Sequence, residues 1–197
     1  MRGREQFSKY KSLLNFMTRF YSLFPQKIRV SLFEMHRYTR GRIGLAIRYA
    51  LLKSVASSCG DNVAIYPGVY LLNPQKLSVG TNVSIHPMCY LEALGGLKIA
   101  DNVSVAHGVT IMSTTHNFSD STVLIKDQGG SSREVDISEN VWIGAKATIL
   151  YGVTIDRDCI IGANSVVTKN CESNSVYVGS PAKKIKQLYE SNSGSRP

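Results

Sequence analysis

The sequence predicts a mainly β fold, a parallel β-helix of triangular section, and three observations carry that prediction. Ile137, Ile143, Ile149, Ile155, Ile161 and Val167 recur at a strict step of six, and all are branched aliphatics. Four residues after each stands another apolar or small residue: Val141, Ala147, Val153, Cys159, Ser165 and Cys171. The dipeptide Asn-Val returns at Asn62-Val63, Asn82-Val83, Asn102-Val103 and Asn140-Val141. A helical stripe of period 3.6 drifts off a step of six, and a doubly wound α/β sheet has no such beat. A solenoid with flat sides of about six residues, three to a coil, fits it. The branched anchor points inward, the small residue fits a corner, and coils stack about 4.8 Å apart.

Length and charge set the frame. The 197 residues suffice for one domain plus an extension. The formal charge of +9 is unevenly spread, because residues 1–55 hold 12 Lys and Arg against 2 Glu. The basic character belongs to this segment, at +10, and the remainder is close to neutral. No stretch has the apolar length of a membrane span. The N-terminus lacks the uninterrupted apolar run of a signal peptide, which favours a cytoplasmic location. The four cysteines, Cys59, Cys89, Cys159 and Cys171, show no zinc-binding or CxxC spacing. Each falls on a repeat position, so they read as small buried hydrophobes, and no metal is expected.

In chain order, residues 1–58 read as a basic amphipathic helical extension. Phe7, Tyr10, Leu14, Met17 and Tyr21 mark a helix over 6–24, stopped by Pro25. Ile43, Ile47, Leu51 and Val55 mark a second. Such helices cap the solenoid end with a solvated basic face, and the same face suits an anionic membrane surface or a glycolipid phosphate. No recognised nucleic-acid-binding motif accompanies the charge, so no nucleic-acid partner is expected.

The solenoid occupies 59–187. Coils anchor at Cys59, Ile65 and Leu71, at Val79, Ile85 and Leu91, and at Ile99, Val105 and Ile111. The two that follow, from Ile137 and from Ile155, make about five coils and a stack of about 25 Å. Residues 112–136 lose the beat and are rich in Gly, Ser, Asp and Asn. They read as an excursion loop, and long loops in compact domains tend to be functional. A short helix is expected near 182–187, and 188–197 reads as a disordered tail.

Three stretches resemble a known family. They are Val141-Trp142-Ile143-Gly144-Ala145, Ile161-Gly162-Ala163-Asn164-Ser165-Val166-Val167-Thr168-Lys169, and Gly179-Ser180-Pro181-Ala182-Lys183. Together they resemble the hexapeptide-repeat acyltransferases, over about 59–187. Leu91-Glu92 with Gly95-Gly96, and Ser113-Thr114-Thr115-His116-Asn117, resemble the bacterial polysaccharide O-acetyltransferases within that family, which are similar to maltose and galactoside acetyltransferases. The resemblance implies a left-handed β-helix, a homotrimer, and acetyl transfer from acetyl-CoA to a hydroxyl of a saccharide or glycolipid acceptor. It places the reaction in exopolysaccharide, capsule or lipopolysaccharide assembly.

A hydroxyl at neutral pH is a poor nucleophile and needs a general base, work that suits an imidazole. His116, at the mouth of the excursion, matches the family's catalytic position. His86, one residue past anchor Ile85, stands where the relatives tend to carry Asn facing the acceptor. Glu92, one residue past Leu91, orients His116 or binds sugar hydroxyls, with a solvated corner residue as the alternative. Ala145, Ala163 and Thr168 match positions lining the pantetheine arm. Trp142 walls that channel or simply packs. Lys183 and Lys186 match basic positions near the CoA phosphates. Other readings on the same solenoid are transfer to an antibiotic, serine or amino sugar, a γ-type carbonic anhydrase, and a non-catalytic scaffold. The carbonic anhydrase needs three zinc-binding His, and the close His pair of that family is missing.

Overall fold

The protein, seen in a computed structural model that describes residues 3–189, is a three-sided parallel β-helix closed at its base by helices. Face A stacks Ser58–Cys59, Leu77–Val79, Leu97–Ile99, Val135–Ile137 and Thr154–Ile155. Face B stacks Ala64–Ile65, Ser84–Ile85, Ser104–Val105, Trp142–Ile143, Cys159–Ile161 and Ser175–Val178, with Lys183–Gln187 antiparallel on its upper edge. Face C stacks Tyr70–Leu72, Tyr90–Glu92, Thr110–Met112, Thr148–Ile149 and Val166–Val167. Five full coils result. A partial sixth begins where Cys171 bridges Ile155 and continues through Ser175–Val178.

The register follows the six-residue beat. Ile99 pairs Ile137, Val105 pairs Ile143 and Ile111 pairs Ile149, so the anchors stack directly across the excursion. Every anchor from Ile65 to Val167 is buried, and only the first, Cys59, is half-buried. Burial pushes the thiol of Cys89 up to about 11 and that of Cys171 up to about 12, as befits packing residues.

The Asn of each Asn-Val pair turns a corner. Asn62, Asn82, Asn102 and Asn140 all have positive φ, a conformation Asn tolerates better than other side chains. Their amides form a ladder up the A/B corner, with Asn62 Nδ2 donating to Asn82 Oδ1 at 3.0 Å and Asn82 Nδ2 to Asn102 Oδ1 at 3.1 Å.

Three helices, not two, form the extension: α1 (Gly3–Ser22), α2 (Gln26–Met35) and α3 (Gly41–Val55). Pro25 ends one helix and caps the next, and α2 has no strong stripe because Phe33 is its one buried residue. From α3, Tyr49, Leu51 and Leu52 continue the solenoid core over the open first coil. Arg48, wholly buried, donates to the carbonyls of Ile65 (2.8 Å), His36 (3.0 Å) and Thr39 (2.6 Å). It thus supplies donors where the sheet edge and the end of α2 leave acceptors unpaired.

Two expectations need correcting at the C-terminus. The short helix near 182–187 is a strand, Lys183–Gln187, because face B still offers a free edge at Ser175–Val178. Leu188 and Tyr189 are held by the backbone and side chain of Asn174, and the rest of the expected tail lies outside the described residues. The excursion spans 113–134, slightly inside the expected bounds, since Met112 and Val135 already pair with their coils.

Candidate active site

The excursion is a hairpin, Thr114–His116 against Gly130–Ser132, with His116 opposite Gly130. Its root is a knot around Glu92. One carboxylate oxygen accepts from the Ser113 N–H (3.0 Å), the Ser113 hydroxyl (3.1 Å) and the Thr114 hydroxyl (3.0 Å). The other accepts from the Leu94 N–H. Ser113 Oγ in turn accepts from Gly95 N–H at 2.8 Å. A Cβ on Gly95 would stand 2.5 Å from the Ser113 carbonyl oxygen and 2.8 Å from Arg133 N, so only glycine lets the two roots close here. Glu92 is buried with both oxygens bonded, which removes the solvated-corner alternative. Its bonds reach Thr114, two residues short of His116.

Further out, Gln128 laces the loop. Its side chain donates to the carbonyls of Asp120 and Val123, both at 2.8 Å, and accepts from Asp120 N–H at 3.0 Å. Asn117 bonds the Gln128 carbonyl (3.2 Å) and accepts from Ser131 Oγ (2.7 Å). His116 is thereby held at the start of a rigid hairpin with its side chain exposed.

The B/C corner carries a second group. His86 stacks on Tyr66, ring centroids 4.8 Å apart and planes within 15°. Burial and then the nearby His107 hold its pKa below the ordinary histidine value. His107, Ala145 and Ala163 occupy the same repeat position on coils three, four and five, two residues past Val105, Ile143 and Ile161. The side chains shrink up this corner, from Tyr66 and His86 to Ala106, Gly144 and Gly162, all one residue past an anchor. At Gly144 a Cβ would lie 2.6 Å from Ala163 N, so the upper corner is narrow backbone. His36 bonds Thr39 within the helical cap and is structural.

Outer face B carries the third group. Trp142 pairs Ile160, Ile160 pairs Val176, and Val176 pairs Lys186. Tyr177 pairs Lys184 and Val178 pairs Lys183, so Ile185 is an extra residue in the ladder. Paired residues share a face. The bulge therefore puts Lys183 and Lys186, three apart and otherwise on opposite faces, on the outer side with Trp142. Lys184 instead pairs with Glu172 at 2.9 Å.

Thr168 stands apart from the alanines. It follows Val167 at the C/A corner, the corner of Glu92 and the hairpin root. Within one chain, face C thus separates His116, Glu92 and Thr168 from His86, Ala145 and Ala163. Sequence reading has His107 as an outward-facing residue and Ser113 only as part of a motif, and it missed Gln128 and the Tyr66 stack. Their signals are a Ser after Met112, a His in the column of the alanines, and aromatic residues one past successive anchors.

Residues 134–169 match the family model described as bacterial transferase hexapeptide (six repeats). A probable acetyltransferase of Mycobacterium tuberculosis is 42% identical over 71 residues, 36% of this chain and 24% of that protein, so the chain spans about a quarter of its length. Galactoside O-acetyltransferase of Escherichia coli is 32% identical over 141 residues, 72% of this chain and 68% of that one. The chain belongs to the hexapeptide-repeat acetyltransferase family. A galactoside acetyltransferase solved in complex with coenzyme A superposes with a TM-score of 0.72 at 27% identity, over 83% of this chain and 80% of that one. The Ala145–Ala163 corner lies within the matched repeats, and the hairpin interrupts the coils just before them.

Proposed function

We propose that the protein moves an acetyl group from acetyl-CoA to a hydroxyl of a saccharide. The observation that carries this is His116, an exposed imidazole presented by a hairpin that Glu92 roots in the solenoid. In the proposed step Nε2 or Nδ1 of His116 takes the proton of the acceptor hydroxyl as its oxygen attacks the thioester carbonyl carbon. The carbon–sulfur bond breaks and CoA leaves as the thiol, receiving the proton from the imidazolium. Ala145 and Ala163 leave room for the narrow pantetheine arm, while Lys183 and Lys186 meet the phosphates on the face flanked by Trp142. His86, half-buried, offers an acceptor group one donor and one acceptor nitrogen when its ring is neutral. Glu92 is a positioning residue.

The active form in this reading is a homotrimer. His116 and the alanine corner lie on opposite sides of face C, so a neighbouring copy supplies the half that one chain lacks. The exposed Phe118, Leu124 and Ile125 on the hairpin suit contact with that copy. The acceptors belong to exopolysaccharide, capsule or lipopolysaccharide assembly, and the enzyme works in the cytoplasm at the inner face of the membrane. CoA-thiol release against a panel of galactosides, maltose, lipid-linked saccharides, chloramphenicol, serine and glucosamine tests the reading. Release and an acetylated product with a saccharide are expected. Turnover confined to chloramphenicol or serine would overturn the acceptor class. Light scattering at micromolar concentration should give three copies; a monomer with full activity would remove the shared site.

A further inference from the structure

Helix α1 carries two apolar stripes, and only one has a partner. Phe7, Leu14 and Tyr21 face inward, with Phe7 set edge-on to Tyr49 at 5.3 Å. Leu13, Phe16 and Phe20, with Leu23 just past the end of the helix, form a second stripe that points away and is 55%, 68%, 49% and 80% exposed. Arg4 of α1 reaches Asn102 on coil three (3.4 Å), and Lys11 reaches Asp61 on coil one (2.5 Å). Seven residues of helix rise about 10 Å, which matches two coil spacings. The helix therefore runs parallel to the solenoid axis, down the A/B corner, and its second half projects past the first coil. The outward stripe lies at this base, at the opposite end from Lys183 and Lys186. Exposed Met35 of α2 and Ile43 of α3 add to the apolar surface of the same cap.

We propose that this stripe docks the protein on an anionic lipid bilayer, with α1 lying in the interface. Charge complementarity selects that occupant. Residues 1–55 carry 12 basic and 2 acidic side chains, and Lys9 and Arg19 of α1 and Lys27 of α2 are exposed. A second copy would bring two net-basic surfaces together and is disfavoured. Four large apolar side chains gain nothing from a nucleic-acid phosphate backbone, whereas an amphipathic helix with a basic rim buries them below anionic headgroups. No helix among the described residues is long and apolar enough to cross a membrane, so the contact is peripheral. The docking goes beyond the acetyl-transfer reading. It would hold the base at the bilayer, where lipid-linked saccharide lies, and leave the lysine end open to soluble acetyl-CoA.

The test is co-sedimentation of the full chain with vesicles of phosphatidylcholine alone and with about three in ten phosphatidylglycerol. Binding is expected only to the anionic vesicles, falling as salt rises from about 0.05 to 0.5 M. Phe16→Ser with Phe20→Ser and Leu23→Ser should weaken it at least about tenfold. Lys9→Glu with Arg19→Glu and Lys27→Glu should do likewise with the apolar stripe intact, which guards against a stripe variant that folds poorly. Equal recovery with neutral vesicles, or unchanged binding by either variant, would overturn the proposal. So would self-association of the wild type that the stripe variant abolishes, since a second copy would then own the surface. Both variants should acetylate a soluble sugar at the wild-type rate. Vesicle binding without any sugar acetylation would sink the transfer reading alone.

Discussion

The fourth coil, Ile137 to Ile149, and the excursion just before it, residues 113–134, are neighbours in sequence and are held together by different means. In the coil, Ile137, Ile143 and Ile149 have no exposed surface and stack on the anchors above and below. Each coil repeats the same contacts, so the fold is a sum of nearest-neighbour terms. In the excursion nearly every side chain is solvated, and order comes from single polar anchors, Glu92 and Ser113 at the root and Gln128 at the tip. Redundant apolar stacking gives stability, whereas a few specific hydrogen bonds give position. His116, the proposed base, sits on the part built for position.

The sharpest way to separate the two regions is His116→Ala. It should lower kcat by about 10²–10⁴-fold, as loss of a general base does, while melting and acetyl-CoA binding stay as in the wild type. A fully active variant would falsify the assignment.

Ile143→Ala addresses the other side of the comparison. The cavity left under a fully buried anchor should cost about 2–5 kcal/mol in chemical denaturation, with kcat of the folded fraction unchanged. A cost below about 1 kcal/mol would mean that neighbouring coils relax into the gap, and the stacking account would need revision.

Glu92→Gln probes the joint between the regions. The amide oxygen can replace only part of the acceptor set, and the new NH₂ faces donors. We expect a loss of about 1–3 kcal/mol, faster hydrogen exchange confined to 113–134, and a fall in kcat without a change in KM for acetyl-CoA. Exchange that quickens evenly over the coils would show that Glu92 supports the solenoid and not the hairpin.

Lys183→Ala with Lys186→Ala should raise KM for acetyl-CoA about three- to tenfold and spare kcat, since exposed charges contribute modestly. If Lys184→Ala has the same effect, the face assignment set by the bulge is wrong.

The smallest effect concerns His86. Its pKa is lowered in the folded state by burial and by His107, so the unfolded chain binds the proton first as pH falls. Stability should therefore decline as pH drops through about 6.5 toward the folded pKa and be insensitive to His86 above that window. His86→Asn should flatten that slope and shift acceptor KM while keeping transfer. An unchanged slope would mean that another group carries it.

The solenoid was legible because its period is a local property of the chain: each anchor pairs with its equivalent one coil away, as Ile137 does with Ile155. Even the excursion could be placed, since it is where the beat stops. What depends on pairing between distant segments was not legible. The sequence from Lys183 suits a helix or a strand, and the free edge of face B decided for a strand. The bulge at Ile185 then decided which lysines share a face. Glu92 reads as a corner carboxylate until Ser113 and Thr114, 21 and 22 residues later, close over it. The inward stripe of α1 was readable as a period through Phe7, Leu14 and Tyr21, though Tyr10, expected in it, is exposed; that a second stripe stays outside was fixed only by where Asp61 and Asn102 hold the helix. Residue spacing determines which side chains share a column or a stripe, and tertiary contact determines which of them face the solvent.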